Sequence, residues 1–136
     1  MLYYTNKVGT MLQIQSTFSG FSVNNLSTAK QFYGDTLGLK LEDKVGGTAI
    51  TLPGGATAWM YEKADHQPAA YTMLDLVVGD IDEAYEALAG KGVAFEHYPN
   101  SYQDDTGIMR GKDAGMGPNI AWFKDPAGNI LAILEN

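Results

Sequence analysis

The sequence predicts an α+β fold built from two tandem β-α-β-β-β units. Residues 18–33 have the same plan as residues 73–88: Val23, Leu26 and Ala29 match Val78, Ile81 and Ala84 at one constant offset. Both halves then end in a hairpin with a proline and glycine turn, at residues 53–55 and 125–129. A self-repeat of this kind predicts that the same supersecondary unit forms twice.

The elements of each unit follow in the same order. A strand ends near Val23 in the first unit, and a helix follows with its apolar side at Leu26, Ala29, Phe32 and Tyr33. The second helix has Asp80 at its start, Glu83 three residues later and Gly90 at its end, which are the usual helix boundary signals. The alternating segments after Gly38 and Gly92 predict a further strand in each unit.

Two stretches lie outside the repeat. Residues 1–17 are predicted to be an N-terminal extension, and residues 18–136 a single domain whose units span 18–62 and 71–136. Residues 97–117 form a polar connection rich in glycine, and a loop of that length in a compact domain is typical of a lid. Tyr102 lies in this loop and is a candidate to contact a ligand.

Composition excludes several classes of function. Nine Lys and Arg against sixteen Asp and Glu leave a net charge of −7, which disfavours binding to nucleic acid or to an anionic membrane. The absence of cysteine excludes disulfides, a thiolate nucleophile and a cysteine zinc site. No signal peptide or long apolar stretch is apparent, so a cytoplasmic protein is expected.

Two motifs carry a resemblance to a known family. The first helix reads Leu26-Ser-Thr-Ala-Lys-Gln-Phe-Tyr33, and the last hairpin contains Ala121-Trp-Phe-Lys-Asp-Pro-Ala-Gly-Asn-Ile130. Together with the repeat they resemble the vicinal oxygen chelate superfamily, which includes glyoxalases, bleomycin resistance proteins and extradiol dioxygenases. The resemblance covers nearly the whole domain and implies an open, curled sheet around a central cleft.

Enzymes of this superfamily hold a divalent metal in the cleft with His or Glu side chains at four positions. The first-strand position lies five residues before a valine, which gives Phe18 from Val23 and Met73 from Val78. The last-strand position follows the turn glycine by four, which gives Trp59 and Ala132. None of these four side chains binds a hard divalent cation, so we predict no metal, no other cofactor and no catalytic residue of the family type.

Aromatic side chains and one carboxylate remain as candidates for ligand binding. Trp59 and Tyr61 alternate on one strand and are predicted to share a face, and Asp75 stands inside an apolar strand, where an ion needs a partner or water. The predicted ligand-binding residues are Phe18, Phe21, Trp59, Tyr61, Met73, Asp75, Tyr102, Trp122 and Ala132.

The sequence therefore favours a metal-free binding protein that sequesters an aromatic or cationic small molecule. The resemblance further implies a homodimer. Two alternatives stay open: a metal-dependent lyase, isomerase or dioxygenase with unusual ligands such as Asp75, His66 and His97, and an interaction module with a vestigial cleft.

Overall fold

A computed structural model describes residues 9–136 and contains the two predicted units. The first unit consists of β1 (Ser19–Val23), α1 (Leu26–Gln31), a π-helical turn (Phe32–Thr36), β2 (Lys40–Lys44), β3 (Gly47–Thr51) and β4 (Thr57–Glu62). The second unit consists of β5 (Thr72–Val77), α2 (Ile81–Ala89), β6 (Met109–Arg110), α3 (Gly111–Ala114), β7 (Asn119–Lys124) and β8 (Ile130–Glu135).

Each unit forms its own four-stranded mixed sheet. The strand order is β1-β4-β3-β2 in sheet A and β5-β8-β7-β6 in sheet B, with the first and last strands of each unit parallel. Neither sheet closes on itself. The predicted α+β class and the repeat of one unit are thus confirmed.

Helices α1 and α2 begin in equivalent ways. Asn25 and Asp80 each accept a hydrogen bond from the amide three residues on, at 2.9 and 3.1 Å, as N-cap residues do. A glutamate at the end of each unit's last strand adds a second contact: Glu62 accepts from the Leu26 amide and Glu135 from the Ile81 amide, at 2.9 and 3.0 Å. The end of the last strand and the start of the helix are therefore joined in both units.

The prediction of a full strand after Gly92 is wrong, because the structure has only one bridging residue there. Only an isolated bridge forms there, between Phe95 and Phe123, and the short β6 takes the edge position beside β7. The side-chain amide of Gln103 donates to the carbonyls of Glu96 and Gly107, at 2.8 and 2.7 Å, which holds the intervening chain in a compact loop. Those carbonyls are satisfied by a side chain, so strand pairing is not needed to satisfy them.

The long loop is also tied to α2. Arg110 makes a two-pronged ion pair with Asp82 and a further bond of 3.1 Å to Asp104. Burial raises the pKa of Asp104, but hydrogen bonds from Thr106, Ile108 and Arg110 outweigh it and lower that pKa to about 2. The loop thus has more internal structure than its glycine-rich composition predicts.

The two units share one hydrophobic core. Phe32 of the π-helical turn packs against Phe123 of β7, with ring centroids 6.2 Å apart, and against Tyr33 at 5.3 Å. Each unit contributes fully buried side chains to this core, among them Ile50 and Met60 of the first unit and Leu131 and Ile133 of the second.

A buried polar joint centred on Asp125 lies beside this core. The Tyr33 hydroxyl donates to the Asp125 carboxylate at 2.6 Å, which crosses from the first unit to the second. The same carboxylate accepts from the backbone amides of Ala127 and Asn129 and from the Asn129 side chain. Burial and the neighbouring Asp125 raise the pKa of Tyr33, so its hydroxyl stays protonated and donates. The Asp-Pro-Ala-Gly-Asn turn therefore fastens the units together.

The linker between the units is fastened to the same turn. His66 Nε2 lies 3.0 Å from the Ala127 carbonyl and its Nδ1 lies 2.6 Å from the Ser22 hydroxyl. A carbonyl only accepts, so Nε2 carries the hydrogen of that contact, while Nδ1 is paired with the Ser22 hydroxyl. The Asn129 side chain also donates to the Ser22 carbonyl at 3.0 Å.

The predicted extension falls partly on residues 1–8, which lie outside the described residues. Residues 10–17 form no helix or strand and are exposed, including Met11, Leu12 and Ile14. Within residues 9–136, no helix is both long and apolar enough to cross a membrane.

Candidate functional site

Each sheet turns one side toward the helices and leaves the other side open. Side chains alternate along a strand, so the residues between the buried core positions point to the open side. We call these sides face A and face B. Face A carries Phe18, Gly20, Ser22, Ala49, Trp59 and Tyr61. Face B carries Thr72, Asp75, Val77, Ile120, Trp122, Lys124, Ile130, Ala132 and Leu134.

Face A presents two aromatic side chains from one strand. Trp59 and Tyr61 lie on the same side of β4, as the alternation predicts. Ala58, just before Trp59, and Met60, between the two aromatic residues, are buried in the core. The Trp59 indole lies against Gly47: a Cβ built on that glycine would be 2.7 Å from the indole Cζ2. Phe18, just before β1, is 68% exposed.

Two predicted site residues lie away from the open faces. Phe21 alternates with Ser22 and so points to the core side, where its ring lies 5.4 Å from Tyr33. Met73 is the extra residue of a β-bulge, because Thr72 and Leu74 pair with the consecutive residues Ile130 and Leu131. The bulge breaks the alternation, and Met73 packs against the core. Met73, a predicted ligand-binding residue, therefore does not lie on face B with Asp75.

Face B contains a single row that combines a carboxylate with an indole. Asp75, Ala132 and Trp122 are paired across β5, β8 and β7 in that order. Ala132 is fully buried between its two neighbours, whereas Asp75 is exposed. Within the described part of the chain the Asp75 carboxylate has no hydrogen bond or ion pair. The next row toward the end of the strands is apolar and consists of Val77, Leu134 and Ile120.

Trp122 also lines a cavity of about 250 Å³ at one end of face B. Its indole N–H donates to the Thr72 hydroxyl at 3.0 Å, and its ring meets Tyr98 edge to face at a centroid distance of 5.7 Å. All the lining residues follow the first unit: Ala70, Tyr71, Thr72, Tyr98, Trp122 and Ile130. Trp59 and Phe18 do not contribute to this cavity, although the sequence places them with Trp122. Tyr102 is also outside it and is 74% exposed.

The donor set does not fit the divalent metal that enzymes of this fold hold. The four family positions carry Phe18, Trp59, Met73 and Ala132, and none of them offers an oxygen or imidazole donor on the open faces. The alternative set of Asp75, His66 and His97 is not brought together either. Among residues 9–136, no three His, Asp or Glu side chains form a group that could hold a metal ion.

Five of the six residues that line the cavity were not predicted from the sequence, among them Thr72, Tyr98 and Tyr71. Thr72 reaches face B only because of the bulge at Met73, and Tyr98 reaches Trp122 because the Glu96 amide donates to the Trp122 carbonyl at 2.8 Å. Tyr71 lies in the linker and is 71% exposed. The one sequence signal for the segment that contains Tyr98 is the alternating run after Gly92, which includes Phe95. That run predicts a chain segment lying beside a strand.

A match to a family model identifies the superfamily of this chain. Residues 13–133 match the model of the Glyoxalase/Bleomycin resistance protein/Dioxygenase superfamily. The chain belongs to this superfamily. The match includes both units of the superfamily fold up to Ile133 of β8, and every residue of faces A and B except Leu134. A comparison with curated proteins finds no match.

Solved structures of the superfamily share the fold. A fosfomycin resistance protein from Listeria monocytogenes has a TM-score of 0.67 and 12% identity, over 92% of this chain and 95% of that one. An antibiotic binding protein from a Streptomyces species has a TM-score of 0.61 and 22% identity, over 91% and 98%. A lactoylglutathione lyase from Agrobacterium tumefaciens has a TM-score of 0.61 and 18% identity, over 90% and 93%. At these identities the likeness concerns the fold alone.

Proposed function

We propose that the protein captures a flat, positively charged aromatic molecule on face B without a metal. The observation that carries this proposal is the row Asp75, Ala132, Trp122, in which an unpaired carboxylate and an indole flank a small apolar residue. A planar cation laid on this row would pair with the carboxylate and stack on the indole.

The physical terms favour such a ligand. A cation close to an indole face gains about 0.5–2 kcal/mol, and the attraction to a carboxylate grows when the ligand body excludes water. On one side of this row, Val77, Leu134 and Ile120 offer apolar contact but no competing hydrogen bonds. The net charge of −7 attracts cations at long range and speeds their association. The fold shared with an antibiotic binding protein and a fosfomycin resistance protein supports a role in handling small molecules.

We propose further that a second copy of the chain covers the open faces, as in the expected homodimer. Phe18 on face A and Val77 on face B are 68% and 66% exposed, and Val77 is paired with Leu134 and so lies beside a further apolar side chain. Contiguous apolar surface of this kind on a sheet marks an interface. A stable dimer hides about 800 Å² on each partner, an area on the scale of an uncovered sheet face. Face B would then form one wall of a closed site, and the partner would supply the other.

The ligand proposal can be tested with a matched pair of fluorescent probes. Proflavine is a flat cation at neutral pH, whereas acridine has the same ring system and is neutral. Asp75→Asn should weaken proflavine binding about tenfold or more, equivalent to ~1.4 kcal/mol, and leave acridine binding unchanged, because only the ion pair is lost. Trp122→Ala should weaken both.

The control for this titration is Asp113→Asn, which removes an exposed carboxylate from α3, away from face B. It should bind both probes as the parent protein does. Equal proflavine affinity for the parent protein and Asp75→Asn would rule out the proposed role of this carboxylate.

The dimer can be tested by sedimentation equilibrium. The parent protein should sediment at twice its chain mass, and Val77→Lys should sediment as a monomer because it places a charge in the covered face. Val45→Lys is the matched control, since Val45 is fully exposed in the β2–β3 turn, off both faces. A monomeric parent protein at 100 micromolar would contradict the proposal.

A further inference from the structure

We infer that the cavity at the end of face B is a subsite for an uncharged aromatic ring bearing a hydrogen-bond acceptor, and that the Tyr98 hydroxyl is its donor. This inference rests on the proposed function, because the subsite adjoins the Asp75 row through Trp122. It extends that function by naming the second half of the ligand.

The shape of the cavity suits one substituted ring. Tyr98 and Trp122 form two of its walls and meet at an interplanar angle of 73°, so a ring between them can stack on one and meet the other by its edge. A volume of about 250 Å³ exceeds the ~150 Å³ that suffices for benzene in an apolar protein cavity. Ile130 and Ala70 complete an apolar lining.

The polar groups that line the cavity differ in whether they already have a hydrogen-bond partner or contact solvent. The Trp122 indole N–H is paired with the Thr72 hydroxyl, and the Tyr71 side chain is largely in solvent. The Tyr98 hydroxyl, in contrast, is buried and has no hydrogen-bond partner within residues 9–136. Leaving a buried hydroxyl unpaired is costly, so such an atom beside a cavity indicates a partner supplied from outside the chain.

The chemistry of this hydroxyl selects the kind of partner. Burial, and to a lesser extent the charge of Glu96, raises the pKa of Tyr98, so the group stays protonated at neutral pH. A phenol is a better donor than acceptor because its ring withdraws electron density from the oxygen. The partner is therefore an acceptor, such as a carbonyl or ether oxygen, and an anionic group is disfavoured by the nearby Glu96 carboxylate.

Two neutral fragments test the subsite directly. Acetophenone carries a carbonyl acceptor, and ethylbenzene has nearly the same shape without it. Binding can be followed by the indole N–H signal of Trp122 in ¹H–¹⁵N NMR, because the chain has only two tryptophans. The parent protein should bind acetophenone about three- to tenfold more tightly than ethylbenzene, the range expected for one hydrogen bond. Tyr98→Phe should abolish this preference and leave ethylbenzene binding unchanged.

A matched variant and a second readout complete the experiment. Tyr102→Phe removes an exposed hydroxyl from the same loop and should keep the preference. The carbonyl stretch of bound acetophenone should lie at lower frequency in the parent protein than in Tyr98→Phe, which reports the hydrogen bond even if the variant is less stable. An unchanged preference in Tyr98→Phe, or no fragment binding at millimolar concentration, would overturn the inference.

The outcome is separate from that of the probe titration. Neither fragment is charged, so the fragment preference does not depend on an ion pair with Asp75. If proflavine binding ignores Asp75 while the acetophenone preference depends on Tyr98, the cationic ligand is wrong and the subsite stands. The opposite result would leave the Asp75 row and remove the subsite.

Discussion

Replacing Asp125 with alanine should lower the free energy of unfolding by about 3–5 kcal/mol, a large part of the stability of a domain of this size. The carboxylate accepts from four buried or half-buried donors in two units, and alanine leaves all of them without their acceptor. Urea denaturation followed by tryptophan fluorescence measures the change.

Tyr33→Phe is the informative companion to Asp125→Ala. It removes one of the four donors and leaves the three bonds inside the turn intact, so it should cost only about 1–2 kcal/mol. Comparable losses in the two variants would show that the joint between the units, and not the turn, holds most of the stabilising energy. A loss below ~1 kcal/mol for Asp125→Ala would contradict the structural role of this residue.

The second large effect concerns the glycine under Trp59. Gly47→Ala should destabilise the protein by ~3 kcal/mol, because the added Cβ would lie 2.5 Å from the Met60 carbonyl oxygen and 2.7 Å from the indole Cζ2 of Trp59. The carbonyl belongs to the paired β4 strand and cannot move freely. Part of the strain should be relieved by displacing the indole, which thermal denaturation and the Trp59 emission maximum would both report.

Two further variants separate the two clashes. Gly47→Ala combined with Trp59→Ala removes the clash with the indole but not the one with the carbonyl, so its cost relative to Trp59→Ala should be smaller but not zero. Gly79→Ala is the matched control, since nothing lies within 4 Å of its added Cβ, and it should change stability by less than about 0.5 kcal/mol. A harmless Gly47→Ala would mean that the indole does not lie on this glycine.

The parts of the fold that could be predicted are those that depend on local periodicity. The α2 pattern of Ile81, Ala84 and Leu88 and the alternation of Trp59 and Tyr61 hold in the structure because each reflects one element packed on one side. The internal repeat adds that the elements recur in the same order. A family model over residues 13–133 agrees with this architecture.

The parts that could not be predicted depend on contacts between distant residues. The bulge at Met73 arises from pairing with β8, and it moves Thr72 onto face B while turning Met73 to the core. The position of Tyr98 depends on backbone bonds to β7 and on Gln103, in a segment without periodicity. Asp75 and Trp122 of the candidate site lie on regular strands and could be named from the sequence, whereas Tyr98, which a loop brings to Trp122, could not.

The contacts that fasten His66, Ser22 and Asn129 at the junction of the units also limit how this molecule can move. The linker is hydrogen-bonded at both ring nitrogens of His66, and it lies next to the shared core and the Asp125 joint. These contacts restrain the linker from acting as a hinge between the two units. Hinge motion needs a few residues that can change their backbone angles without breaking buried contacts. These contacts therefore oppose a hinge motion that would bring the two faces together. Enclosure of the proposed ligand would have to come from side chains at the rim, the long loop or the proposed second copy.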